Sequence, residues 1–140
     1  MELAEAVTWA AERRLGVLIT IRSDGRPQSS DIVYCVDGGV FSISVTADRA
    51  KTANLRRAPR AVLHISDEKA WSYVSLDGTV ELLPVTTSVD DATNDALVDY
   101  YERMMDDPHP DWDEYRQAMI DERRHIARFT PTSATGMIHG

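Results

Sequence analysis

Arg49-Ala-Lys-Thr-Ala-Asn-Leu-Arg-Arg-Ala-Pro-Arg60 holds five of the fifteen Lys and Arg side chains of a chain whose formal net charge is -8, and it holds no carboxylate. Ala50, Ala53, Leu55 and Ala58 favour helix, and Pro59 ends it. A helix beginning near Asp48 or Arg49 sets Arg49 and Lys51 in its first turn. The helix dipole disfavours cations at that end, and the first backbone N–H groups have no intrahelical partner. Free donors and two cations together suit an anion, above all a phosphate. Arginine offers a two-pronged donor and lysine a point charge, and the Thr52 hydroxyl is a further donor. Against this stands a plainer reading, in which Asp48 caps the helix and neutralises Arg49 or Lys51. Arg56 and Arg57 fall in the last turn, where the dipole favours cations whether or not a ligand is near.

The other chemistry-bearing residues are sparser. Trp71, Tyr73 and Ser75 alternate onto one face of a strand, an arrangement that serves core packing, an interface or ligand stacking. Met104, Met105 and Met119 have the spacing of core filler. Cys35 is the sole cysteine, so no intrachain disulfide forms; a buried, inert thiol in a reducing cytosol is expected. His64, His109, His125 and His139 lack metal-ligand spacing, so no metal is expected. No glycine-rich phosphate loop and no Ser-His-Asp arrangement is visible. The acidity argues against nucleic acid as the main partner. No stretch approaches the ~20 apolar residues of a membrane span. The opening MELAEAVTWAAERR carries charge throughout, unlike a signal peptide.

These residues need elements to position them. At 140 residues a single domain, 1–140, is expected. Leu3, Ala6, Val7, Ala10 and Ala11 predict a short opening helix. Strands follow over 16–22, 29–36 and 40–45, separated by turn chemistry at Asp24-Gly25 and Asp37-Gly38-Gly39. A fourth strand is expected over 60–66. Residues 71–85 read as one bulged strand or as a hairpin broken at Asp77-Gly78. Ser88-Val-Asp-Asp91 reads as a capping box, opening a helix whose apolar face is Val89, Ala92, Ala96, Leu97, Tyr100, Tyr101 and Met104. Asp111 caps a second helix, with Glu114 in the reciprocal position. Residues 126–138 form the last strand. The sum is mainly β with flanking helices: a six- to seven-stranded antiparallel barrel.

The runs VLITIRSDGRPQSS, VFSISVTADRAKTANLRRAPRA, WSYVSLDGTVEL and HPDWDEYRQAM resemble the deazaflavin-dependent branch of the pyridoxamine-phosphate-oxidase-like superfamily. The resemblance extends over about residues 16–138. It implies a split β-barrel oxidoreductase that uses coenzyme F420, with FMN as the alternative cofactor and a non-catalytic carrier as the alternative role. It implies that Arg49, Lys51 and Thr52 hold the cofactor phosphate. Ser29, Ser30 and Asp31 would flank the ring, and the backbone of Ile43, Ser44 and Val45 would run beside it. Asp31 departs from the asparagine of many relatives. Trp71 and Tyr73 would reach the site across a homodimer interface. Arg56, with Arg57 and Arg60, would meet the acidic tail of the deazaflavin. The implied reaction passes a hydride to a conjugated organic acceptor. Asp31 and Tyr73 are the candidate proton donors, with solvent as the alternative.

Overall fold

A computed structural model describes residues 1–139. In order the elements are α1 (Leu3–Ala11), β1 (Leu15–Ile21), β2 (Pro27–Asp37), β3 (Val40–Thr46), α2 (Ala50–Arg57), β4 (Arg60–Asp67), β5 (Ser72–Leu82), α3 (Ala92–Met105), α4 (Trp112–Asp121) and β6 (Arg124–Met137). The strands close into an antiparallel barrel in the order β1-β2-β3-β6-β5-β4, and the four helices flank it. Among the described residues no helix is long and apolar enough to cross a membrane.

Local chemistry explains the meander. Gly25 turns the chain with φ +88°, and the Asp24 carboxylate steadies that turn by accepting from the Arg26 N–H at 3.0 Å. Alternate residues then point inward: Leu18, Phe41, Ile43, Leu63, Ile65, Leu76 and Phe129 fill the barrel. On β6 three consecutive residues, His125, Ile126 and Ala127, are buried, which breaks that alternation. The cause is outside the barrel, where α3 and α4 cover Ile126 with Leu97, Tyr100, Tyr115 and Met119.

The feature that matters for function lies on β2. Its first half pairs with β1, from Pro27↔Ile21 to Val33↔Leu15. Its second half pairs with β3, from Tyr34↔Ile43 to Asp37↔Val40. Beyond Tyr34 and Ile43 the two strands part, while β3 continues against β6 as far as Thr46↔Arg124.

Of the two readings of residues 71–85, the structure shows the single bulged strand: Ser72–Leu82 is one strand, with its register against β6 slipping at Asp77/Gly78. A Cβ on Gly78 would lie 2.5 Å from the Thr130 carbonyl, so the strands approach too closely there for a side chain. The cap of α3 is Asp91, not Ser88: its carboxylate accepts from the Asn94 N–H at 2.8 Å. A carboxylate that also accepts from the Thr87 and Ser88 N–H groups displaces the serine from that role. Val89 therefore precedes the helix and is exposed. Asp111 caps α4 through the Glu114 N–H, but Glu114 does not reciprocate; His109 Nδ1 accepts from the Asp111 N–H instead. Met119 is in the core, whereas Met105, at the end of α3, is exposed.

Candidate functional site

Where β2 and β3 part, a cleft of about 400 Å³ opens. β2 contributes Asp31, Ile32 and Val33; β3 contributes Ser44; α2 contributes Lys51; and β6 contributes Arg124. Tyr100, Tyr101 and Met104 of α3, with Tyr115 and Met119 of α4, form the facing wall. The cleft thus has a cationic end and an aromatic, apolar side.

The cationic end is built by a tight turn. Arg49 is the N-cap of α2, with no side-chain cap hydrogen bond, and the first turn of the helix contains no acidic residue. Asp48 is exposed. The Thr46 carbonyl accepts from the Arg49 N–H at 3.3 Å and from the Thr52 hydroxyl at 2.8 Å. Thr52 is fully buried, so its donor serves the turn and fixes α2 to the end of β3. Lys51 is half-buried, and its pKa is lowered by burial first, then by Arg49 and Arg124. Among the described residues neither Arg49 nor Lys51 makes an ion pair. Arg124 donates from Nη1 to Ser44 Oγ at 3.2 Å and from Nε to Glu122 at 2.8 Å. Of the cations gathered here only Arg124 has a carboxylate partner, Glu122, so Arg49 and Lys51 form a site that an anion stabilises.

Two hydroxyls flank the parting strands. Ser30 Oγ on β2 and Thr46 Oγ1 on β3 are buried and make no hydrogen bond among the described residues. Buried polar groups are nearly always paired, so these two are donors held in reserve.

The sequence candidates divide accordingly. Asp31, Ser44 and Lys51 line one cleft, with Arg49, Thr52 and Ser30 on the same elements beside it. Ser29 is exposed on β2. Ile43 and Val45 send their side chains into the barrel core. Their backbone groups belong to the β6 side, because the Ala47 N–H in the same phase donates to Arg123 O. The backbone of Ser44 alone of the three faces the split. Arg56, Arg57 and Arg60 do not line the cleft. Arg57 is committed to Ile21 O and Asn54 Oδ1, and buried Asn54 donates to Thr20 Oγ1 and Gln28 Oε1, tying α2 to β1 and β2.

Trp71 and Tyr73 lie elsewhere. Trp71 is not on the strand: Asp67 pairs with Ser72, which leaves Trp71 in the connecting turn with φ +50° and 81 % exposed. Tyr73, 41 % exposed, stacks on His64 at 5.5 Å between ring centroids. With Met137, 53 % exposed, they line a separate groove of about 890 Å³. Asp31 and Tyr73 therefore share no cavity within one chain. Burial pushes the half-buried Cys35 thiol up to about 11, consistent with an inert group.

Sequence reasoning missed Arg124 and the role of Tyr100. The Arg123-Arg124 doublet after an acidic helix was the available signal for the first. Tyr100 was grouped with the apolar face of its helix. It does pack there, but its hydroxyl reaches Val33 O at 3.0 Å.

Residues 3–137 match the pyridoxamine 5'-phosphate oxidase family. Among solved structures, a conserved hypothetical protein from Mycobacterium tuberculosis is 24% identical, with 99% of this chain and 86% of that chain covered and a TM-score of 0.77. A protein named F420 reductase is 26% identical over 91% of this chain and 94% of its own, with a TM-score of 0.63. A FAD-binding protein from Mesorhizobium loti shares the fold at 16% identity, with 97% of this chain and 92% of that chain covered and a TM-score of 0.68. The six-stranded split barrel, its cleft between β2 and β3, and a family match spanning nearly every described residue agree: the chain belongs to the pyridoxamine 5'-phosphate oxidase family.

Proposed function

We propose that this protein is an oxidoreductase that binds the deazaflavin coenzyme F420 in the cleft between β2 and β3, as a homodimer. The observation that carries this reading is Lys51, half-buried, crowded by two guanidiniums and without an ion pair at the cleft's edge. Such an ammonium is stabilised by a phosphate, which Arg49 and the open start of α2 would help to hold. The residues present fit a planar ring bearing an acidic chain. Tyr101, Tyr115 and Met119 offer an apolar side, and Lys51 and Arg124 a cationic end. Similarity to a protein named F420 reductase supports the choice of cofactor.

When bound, the reduced deazaflavin supplies a hydride to an electron-poor, conjugated organic acceptor. The chain's own part is to hold the phosphate, orient the ring and keep water from its face. Asp31 lies in the cleft, within the group of candidate proton donors. Tyr73 belongs to that group only in a dimer, where the exposed groove of a second copy closes the cleft.

One observation favours FMN instead. Arg56, Arg57 and Arg60 do not line the cleft, so the cation beyond the phosphate position is limited to Arg124. Titration of the protein's fluorescence with F420 and with FMN decides between them. Tighter binding of F420 is expected. Equal or tighter binding of FMN would overturn the deazaflavin assignment, and no binding of either would overturn the cleft as a cofactor site.

A further inference from the structure

We infer that the Tyr100 hydroxyl takes the place of one rung of the β2–β3 ladder and so holds the cleft at the width that admits the cofactor ring. This makes Tyr100 a positioning residue of the site proposed above, and the inference rests on that reading.

The geometry begins with register. Tyr34 pairs with Ile43, so the next rung toward the cleft is Val33 opposite Ser44. In an antiparallel pair every second residue turns its N–H and C=O toward a given neighbour. The Tyr34 N–H donates to Arg14 O, on the β1 side, so Val33 turns toward β3. The Ala47 N–H donates to Arg123 O, on the β6 side, so Ser44 turns toward β2. Val33 and Ser44 thus face each other and would complete a hydrogen-bonded rung. They do not pair. The Tyr100 hydroxyl donates to Val33 O at 3.0 Å, and so takes up the carbonyl that Ser44 would otherwise reach. Val33, Ser44 and Tyr100 all line the cleft.

A phenol suits this task. Its hydroxyl can accept as well as donate, so one group has the capacity to serve a C=O on one strand and an N–H on the next. Its ring is rigid and is buried against Leu97 and Ile126, so α3 carries the wedge on a packed element. Two phenols nearby make a contrast. Tyr34 donates to Ala10 O and Tyr115 to Leu97 O, and neither stands between two strands. Without the Tyr100 hydroxyl, Val33 O and Ser44 N–H must bond each other, which narrows the cleft, or lose a partner.

The test compares Tyr100→Phe with Tyr34→Phe in the full chain. Tyr34→Phe removes a buried hydroxyl that faces the barrel core and α1, and it controls for general loss of stability. The probes are the F420 dissociation constant and amide exchange at Ser44 read by NMR. Tyr100→Phe is expected to weaken F420 by about tenfold, the effect of one hydrogen bond. It is also expected to alter Ser44 amide exchange while leaving the β4–β5 amides unchanged. Tyr34→Phe is expected to leave the dissociation constant within twofold of wild type. Unchanged affinity in Tyr100→Phe, or an equal loss in both variants, would overturn the inference. If wild type binds no F420, the cofactor reading fails separately; an unaltered Ser44 exchange rate in Tyr100→Phe would then refute the rung itself.

Discussion

Lys51 gives up its proton more readily than an ordinary lysine, because it is partly buried and flanked by Arg49 and Arg124. In the unfolded chain the proton is held to higher pH. The charged form therefore weighs against the fold at neutral pH, and stability recovers as pH rises from the lowered value toward the ordinary one. Lys51→Ala should leave the melting temperature of the free protein unchanged or raised. The same change should weaken F420 by about 10- to 150-fold, since a charge-assisted hydrogen bond contributes ~1.5–3 kcal/mol. A lowered melting temperature with an unchanged dissociation constant would return Lys51 to a structural role. A bound phosphate favours the charged lysine and raises its pKa. Affinity in wild type should accordingly decline as pH climbs through the lowered pKa of Lys51. Titrations across the alkaline range should show that decline flattened in Lys51→Arg, whose guanidinium stays charged. Tyr34 and Tyr115, pushed far up by burial, stay protonated over that range and do not confuse the readout.

Among the elements, β5 and β6 leave no room for a side chain at Gly136. Gly136 has φ +145°, and a Cβ there would lie 2.2 Å from the Tyr73 carbonyl. Gly136→Ala should destabilise the protein by on the order of 2 kcal/mol or more, combining backbone strain with that clash. Chemical denaturation measures it; a change below ~0.5 kcal/mol would mean the strands open there without penalty. Elements of this kind were readable in advance wherever one residue fixes a local conformation. Gly25 and the Gly38-Gly39 pair marked both turns, and Pro59 marked the end of α2. The cationic end of the cleft was legible for the same reason, since Arg49 and Lys51 are neighbours at the start of one short helix. What could not be read is what long-range pairing creates. Arg124 reaches Ser44 only because β6 runs against β3, and Tyr100 reaches Val33 only because α3 folds back over β2. The start of α3 was misplaced at Ser88 because two capping residues compete three positions apart, and Asp91 gathers more donors.

The whole molecule leaves one face uncovered. Trp71, Tyr73 and Met137 line a large groove, and exposed apolar surface of that kind is typical of an interface. A C2 pair would cover it in both copies at once. If that contact also completes the cofactor cleft, dimerisation and cofactor binding strengthen each other. Trp71→Ala should weaken both, whereas Lys51→Ala should weaken cofactor binding alone. Sedimentation of both variants with and without F420 separates these outcomes. A wild-type monomer at micromolar concentration that still binds cofactor fully would exclude a shared site.

The position of β6 has a further consequence, for the order in which the molecule assembles. β6 lies between β3 and β5, with Phe41 pairing Phe129 and Leu76 pairing Ala134. It is also the last strand in sequence order. During synthesis β1, β2 and β3 can form their meander early, but β3 must wait for its second neighbour until α3 and α4 have been made. Over that interval β3 and β5 both present open edges, the surfaces on which chains join wrongly. Closure by such distant pairing is slow. The interval of risk ends when β6 slots in and seals both edges in one event. The helices that cover Ile126 are made before the strand that carries it, and their packing is complete only once that strand arrives.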